Sequence, residues 1–232
     1  MNRLLFISAA FAAILITFSA TISTAQTASF AKIPDELIVR SLKQHDPLLA
    51  ISVEAVLYKL RQNQALTLVD VRSIQGFERL YIPGSVNIPL YAVKTKTYLK
   101  SAPVVLVNGG FRYAELENEC RRLAERGFQV SILDGGLPAW QRKGGELAGD
   151  LFALDEMTSV SAVAFFREKD FENTLVIDIS PARSEASSRL IPYARHVPGL
   201  AGSGAQAAAL SKLMAENKNR PFQSVVILNE TG

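Results

Sequence analysis

Leu133-Asp134-Gly135-Gly136-Leu137-Pro138-Ala139-Trp140 is the stretch from which the fold of this chain is read. Residues 128–133 lead into it as a short, largely apolar strand. The glycine pair makes a turn, and a short helix follows around residues 137–142, with Trp140 as a core anchor. Upstream, residues 112–126 predict a helix stopped by Gly127. Residues 103–107 and 85–88 predict short strands, and residues 65–71 a buried one. Ser52 is placed to cap a helix whose apolar residues Val53, Val56, Leu57 and Leu60 recur at i, i+3, i+4 and i+7. Strands alternating with helices predict an α/β fold: a parallel sheet with helices on both faces.

Three segments together, Leu68-Val69-Asp70-Val71-Arg72, Ile82-Pro83-Gly84-Ser85-Val86-Asn87-Ile88-Pro89 and residues 133–140, resemble the rhodanese-like (sulfurtransferase) family in order and spacing. The resemblance implies a site where the strand Val104-Val105-Leu106-Val107 gives way to a helix. In that family a cysteine thiolate there takes up sulfane sulfur as a persulfide, stabilised by converging backbone N–H groups and the helix N-terminus. Strand register puts Asn108 in the cysteine's place, whereas counting back from Gly127 puts Gly110 there; neither carries a thiol. No catalytic residue is therefore assigned. The candidate binding residues are Asn108, Gly109, Gly110, Phe111 and Arg112, with Asp70 and Arg72 supporting the loop. Gly76, Leu80-Tyr81 and Ser180 depart from the family pattern. Tyr113, Leu116, Cys120 and Leu123 share one helical face, so the single cysteine reads as a core residue.

The pattern then recurs. Residues 159–164 echo 52–57, residues 175–178 echo 67–70, residues 190–198 echo 81–89, and residues 224–229 echo 103–108. An internal duplication with an insertion around residues 199–206 accounts for the spacing. The expected organisation is a signal peptide at 1–25, a linker at 26–47 with a short helix near 36–41, a rhodanese-like domain 1 at 48–145, a connecting stretch at 144–155, and a degenerate, incomplete domain 2 at 156–232. Asn229-Glu230-Thr231-Gly232 begins the second loop with asparagine as well. Lacking a counterpart of residues 112–136, the second copy is expected to be truncated, with an open sheet edge that a partner could cover.

Composition narrows the function classes. The 232 residues fit one large or two small domains, and a net charge of +3 without like-charge runs argues against a nucleic-acid partner. Arg3 followed by the uncharged stretch 4–20 and by Ser23-Thr24-Ala25 reads as an export signal cleaved after Ala25, with an uncleaved membrane anchor as the alternative. The expected localisation is periplasmic. One cysteine forms no internal disulfide, and His45 and His196 show no metal-ligand spacing, so no metal and no cofactor are expected. Gly202-Ser203-Gly204 lacks the Lys-Ser/Thr of a phosphate loop. The expected partners are a small sulfur oxyanion and a protein docking on the second half. The sequence thus points to an exported anion- or protein-binding module without sulfurtransferase activity. The alternative is an active thiosulfate-type sulfurtransferase.

Overall fold

A computed structural model describes residues 13–17, 43–157, 159–182, 185–197, 211, 212, 215 and 223–229. The short helix expected near 36–41, the insertion at 199–206 with its Gly-Ser-Gly loop, and residues 230–232 lie outside the described residues.

The chain runs β1 (Ala13–Thr17), β2 (Ala50–Ile51), α1 (Val53–Arg61), β3 (Thr67–Asp70), α2 (Ile74–Arg79), β4 (Leu80–Tyr81), β5 (Val86–Asn87), β6 (Val104–Val107), α3 (Tyr113–Glu125), β7 (Val130–Leu133), α4 (Gly136–Arg142) and β8 (Ala148–Gly149). It continues through α5 (Ala153–Glu156), α6 (Ala162–Glu168), β9 (Thr174–Asp178), α7 (Glu185–Leu190), β10 (Arg195–His196) and β11 (Ser224–Asn229). Two 3-10 turns, Leu90–Thr95 and Thr97–Ser101, bridge β5 and β6.

The first sheet has the order β2-β7-β6-β3-β5, and all its pairs are parallel. The central strand β6 is buried on both faces, which explains its unbroken apolar run. Alternate residues point to opposite sides. Val105 and Val107 join Val53, Val56, Leu137 and Trp140 in one core, whereas Val104 and Leu106 join Tyr113, Leu116, Cys120 and Leu123 in the other. The Ser52 hydroxyl accepts from Ala55 N at 3.2 Å, so α1 starts where the cap was expected. Trp140 is 2 % exposed, and its indole N–H donates to Glu146 O at 2.8 Å.

The stretch 144–155, read as a connection between halves, has regular structure. β8 pairs antiparallel with β4, and Ala153 and Leu154 of α5 pack into the first core. A third core begins at Val160, with Phe165, Val176, Ala194 and Val226. It lies against a second sheet of order β1-β11-β9-β10, again parallel throughout.

The two sheets share a local plan. β3 lies between β6 and β5, and β9 lies between β11 and β10. Val71 N donates to Val107 O at 3.0 Å, and Ile179 N donates to Leu228 O at 3.0 Å. The cap of α6 is Ser161, whose hydroxyl accepts from Ala164 N at 3.3 Å. The cap of α6 thus falls at Ser161, two residues beyond Ser159, the residue the sequence echo aligned with Ser52. Within the apolar N-terminal stretch, β1 runs beside β11, on the edge where the sequence anticipated an open strand.

Residues 43–46, at the end of the expected linker, are packed. Lys43 N donates to Asp170 O at 3.0 Å, and His45 is 7 % exposed.

Candidate functional site

Parallel α/β sheets place their sites beyond the carboxyl ends of the strands. At that end of β6 the chain enters the 108–112 loop. Asn108 is 7 % exposed and folds back on this loop: its Oδ1 accepts from Gly110 N at 2.9 Å, and its Nδ2 donates to Phe111 O at 2.5 Å. Both ends of the amide are thus used within the loop. The Asn108 carbonyl accepts from Leu137 N at 3.0 Å.

The Gly135-Gly136 turn clamps the loop from below. Gly110 has φ +88, and a Cβ there would stand 2.8 Å from Gly135 O. A Cβ on Gly136 would stand 2.4 Å from Gly110 N and 2.7 Å from Asn108 Oδ1. Only glycine lets the two turns touch, which explains physically why this segment carries so much information. Tyr113, the first residue of α3, accepts from Gly135 N through its hydroxyl at 3.0 Å. Burial raises the proton affinity of that phenol, so it stays neutral.

Asp70 and Arg72 brace the neighbouring strand end. The guanidinium donates to both carboxylate oxygens, through Nε at 3.0 Å and Nη2 at 2.7 Å, and Nη2 also reaches Leu80 O at 2.5 Å. Asn87 Nδ2 donates to the carbonyls of Asp70 and Arg72, both at 3.0 Å. This network ties β3, β4 and β5 together beside the loop.

A cleft of about 460 Å³ opens over these parts, lined by Arg72, Gly109, Arg112 and Met157 from one side and by Ser161 and Arg167 from the other. Arg112 takes a left-handed conformation, φ 69, and pairs with Glu115. Arg72 Nη1 stands 4.0 Å from Met157 Sδ, and a Cβ on Gly109 would stand 3.9 Å from the same sulfur, so a thioether flanks the loop. Cys120 is on the far core face and is fully buried; burial pushes its thiol up to about 12. It holds a proton at neutral pH and does not face the cleft.

All five candidate binding residues therefore form one continuous loop, with Asp70 and Arg72 beside it. Sequence reasoning missed Met157, Arg167 and the hydroxyl role of Tyr113. The first two come from beyond the matched motifs and carry no local signal, whereas Tyr113 is visible in the sequence only as part of an apolar face. His45, expected in a linker, lies in a buried cluster. Its two neighbouring carboxylates, Glu117 at 3.2 Å and Glu168 at 3.5 Å, sit at opposite ring nitrogens and do not converge on a common point.

Architecture and loop placement define a class: an α/β domain with a glycine-clamped strand–loop–helix turn at the carboxyl end of a parallel sheet. The model of the rhodanese-like domain matches residues 53–143. The putative sulfurtransferase YtwF of Bacillus subtilis (strain 168) is 31% identical over 94 residues, which cover 39% of this chain and 88% of YtwF. The chain belongs to the rhodanese-like domain family. It is also 29% identical over 96 residues to the putative sulfur carrier protein YrkF of Bacillus subtilis (strain 168), covering 40% of this chain; it thus spans only 51% of that relative's length. Among solved structures, the BH2092 protein from Bacillus halodurans aligns with TM-score 0.39 and 23% identity, over 44% of this chain and 77% of its own. The thiosulfate sulfurtransferase from Pseudomonas aeruginosa aligns with TM-score 0.39 and 21% identity, over 78% of this chain and 40% of its own.

Proposed function

We propose that this protein is an exported tandem rhodanese-like module that binds a small sulfur oxyanion at the 108–112 loop and engages a protein through its second half, without transferring sulfur. The observation that carries the reading is the Asn108 side chain. It stands where the strand–loop–helix turn would present a nucleophile, and both ends of its amide are bonded inside the loop. An amide carbon neither accepts nor releases sulfane sulfur, and the one thiol is protonated and buried elsewhere.

Glycine at 109 beside the open cleft and the guanidinium of Arg112 support an anion as ligand. The duplication draws support from paired details: the Ser52 and Ser161 caps, the order β6-β3-β5 against β11-β9-β10, and Asn87 bonding Arg72 O where His196 Nε2 meets Ser180 O at 2.9 Å. Under this reading the domains are 48–145 and 156–232, with export directed by residues 1–25. Among the described residues no helix is long and apolar enough to cross a membrane.

The competing reading, a thiosulfate-type sulfurtransferase, takes its support from what the matched relatives are called. Turnover of thiosulfate with cyanide as acceptor separates the two, and substitution tests the shape of the loop. In Asn108→Cys the new thiolate is expected to attack the sulfane sulfur of thiosulfate, breaking its S–S bond, releasing sulfite and leaving a persulfide, read as added sulfur mass on the intact protein. A folded Asn108→Cys chain that takes up no sulfur would show that the loop no longer has the shape of a thiolate cradle.

A further inference from the structure

The elements beyond residue 155 touch the site at two points, one on the loop and one on the first turn of α3. Phe111 leaves the loop and packs among Val160, Phe165 and Val176 of the third core. Glu168, the last residue of α6, is 2 % exposed, and its Oε1 accepts from Ala114 N at 3.0 Å, in the first turn of α3. That helix has no cap of its own, since Arg112 at the capping position reaches the Glu115 side chain and makes no side-chain bond to the backbone N–H groups of the first turn. A carboxylate from a distant element thus does what a local Ser, Asp or Asn would do.

His45 holds this carboxylate in place. Its Nε2 is 3.5 Å from Glu168 Oε2, its ring stacks on Phe171 at 3.9 Å, and Tyr113 meets it edge-on at 5.9 Å. On the other side, Glu117 Oε1 lies 3.2 Å from His45 Nδ1 and accepts from Asp46 N at 2.7 Å.

A helix N-terminus carries roughly half a positive charge, concentrated in its first turn. A buried carboxylate bonded there cancels it, and an incoming oxyanion at the adjoining loop meets both the loss of attraction and a like charge. We propose that Glu168 is an internal anion that competes with external oxyanions for this end of α3, so that docking of the second half sets how strongly the 108–112 loop binds them. The inference rests on the reading of that loop as an anion site.

The test titrates sulfate and thiosulfate into the full chain at neutral pH, following the backbone amides of Gly109, Gly110 and Ala114 by NMR. Glu168→Gln keeps an oxygen for Ala114 N and removes only the charge. It is expected to bind about tenfold more tightly than wild type. Glu117→Gln removes a charge from the same cluster without touching the first turn of α3, and is expected to change affinity less than about twofold.

Equal or weaker binding by Glu168→Gln, with wild type still binding, overturns the inference and leaves the anion site standing. An equal gain in Glu117→Gln overturns it too, because the effect would be general charge. If no variant binds either anion, the anion site and the inference fall together.

The wild-type chain gives a readout that needs no variant. Glu168 faces His45 from the 43–46 segment, Arg112 from the site loop, and Tyr113 and Glu117 from α3. Sulfate affinity is expected to rise as pH falls through the titration of Glu168, and Glu168→Gln is expected to flatten the profile. A flat wild-type profile, or an unchanged slope in Glu168→Gln, contradicts the assignment.

Discussion

Asn108 closes its own loop, and Gly136 lets it do so. A Cβ on Gly136 would approach Asn108 O to 2.5 Å as well as Gly110 N. Gly136→Ala is therefore expected to lose about 3 kcal/mol or more of stability, through the clash and the positive φ together, measured by urea unfolding. A loss below about 0.5 kcal/mol would show that the two turns are not in contact. Asp70 and Arg72 form a two-point ion pair with side chains 1% and 12% exposed. Asp70→Asn leaves the guanidinium underneutralised and is expected to cost about 3 kcal/mol; an effect near zero by the same measurement would mean that the pair is solvated. Cys120 belongs to the core. The native chain is expected to resist a disulfide reagent at neutral pH and to react with one thiol per chain once unfolded in guanidinium. Rapid reaction of the native chain would contradict the burial.

At the scale of elements, the sequence was most legible where one segment carried its own signal. The serine cap and apolar spacing of α1, the uninterrupted apolar run of β6, and the single apolar face of α3 each follow from local chemistry. The glycine turn before α4 was equally plain, because backbone contact with the loop tolerates no side chain. What stayed hidden depends on distant partners. β8 is two residues long and exists through its pairing with β4; α5 is four residues long and packs into a core begun far upstream. The cap on α3 comes from α6, and no local pattern marks Glu168 for it. The loop residues 108–112 were legible as a set, but the inward fold of the Asn108 amide was not, because residue type does not state which way an amide turns.

Glu168 also makes a prediction about stability. Burial, the largest effect on it, raises its carboxyl above the ordinary value of 4.5. The folded chain therefore holds this proton more tightly than the unfolded chain. Between 4.5 and the raised folded value the folded state binds more protons, so this group's contribution to stability falls as pH rises through that window. Glu168→Gln is expected to remove that part of the slope in pH-dependent urea unfolding. An unchanged slope would show that Glu168 does not carry it.

For the whole molecule, the elements beyond residue 155 meet the first sheet's domain at the site loop, where Phe111 enters the third core, and at the first turn of α3, where Glu168 accepts from Ala114 N. The N-terminal stretch has two destinies in this account. In the full chain residues 13–17 form β1 beside β11; under the proposed export, cleavage behind Ala25 would remove that strand and leave the β11 edge unpaired. Secretion of the full-length product in a bacterial host, followed by N-terminal sequencing, is expected to give Gln26 as the first residue. A product retaining Met1 would refute cleavage.

The central claim is that the glycine-clamped loop binds without sulfur transfer, and turnover of thiosulfate with cyanide as acceptor tests it most directly. The account predicts no thiocyanate above the uncatalysed background, from wild type and Cys120→Ala alike. Thiocyanate formation by wild type that Cys120→Ala abolishes would contradict it.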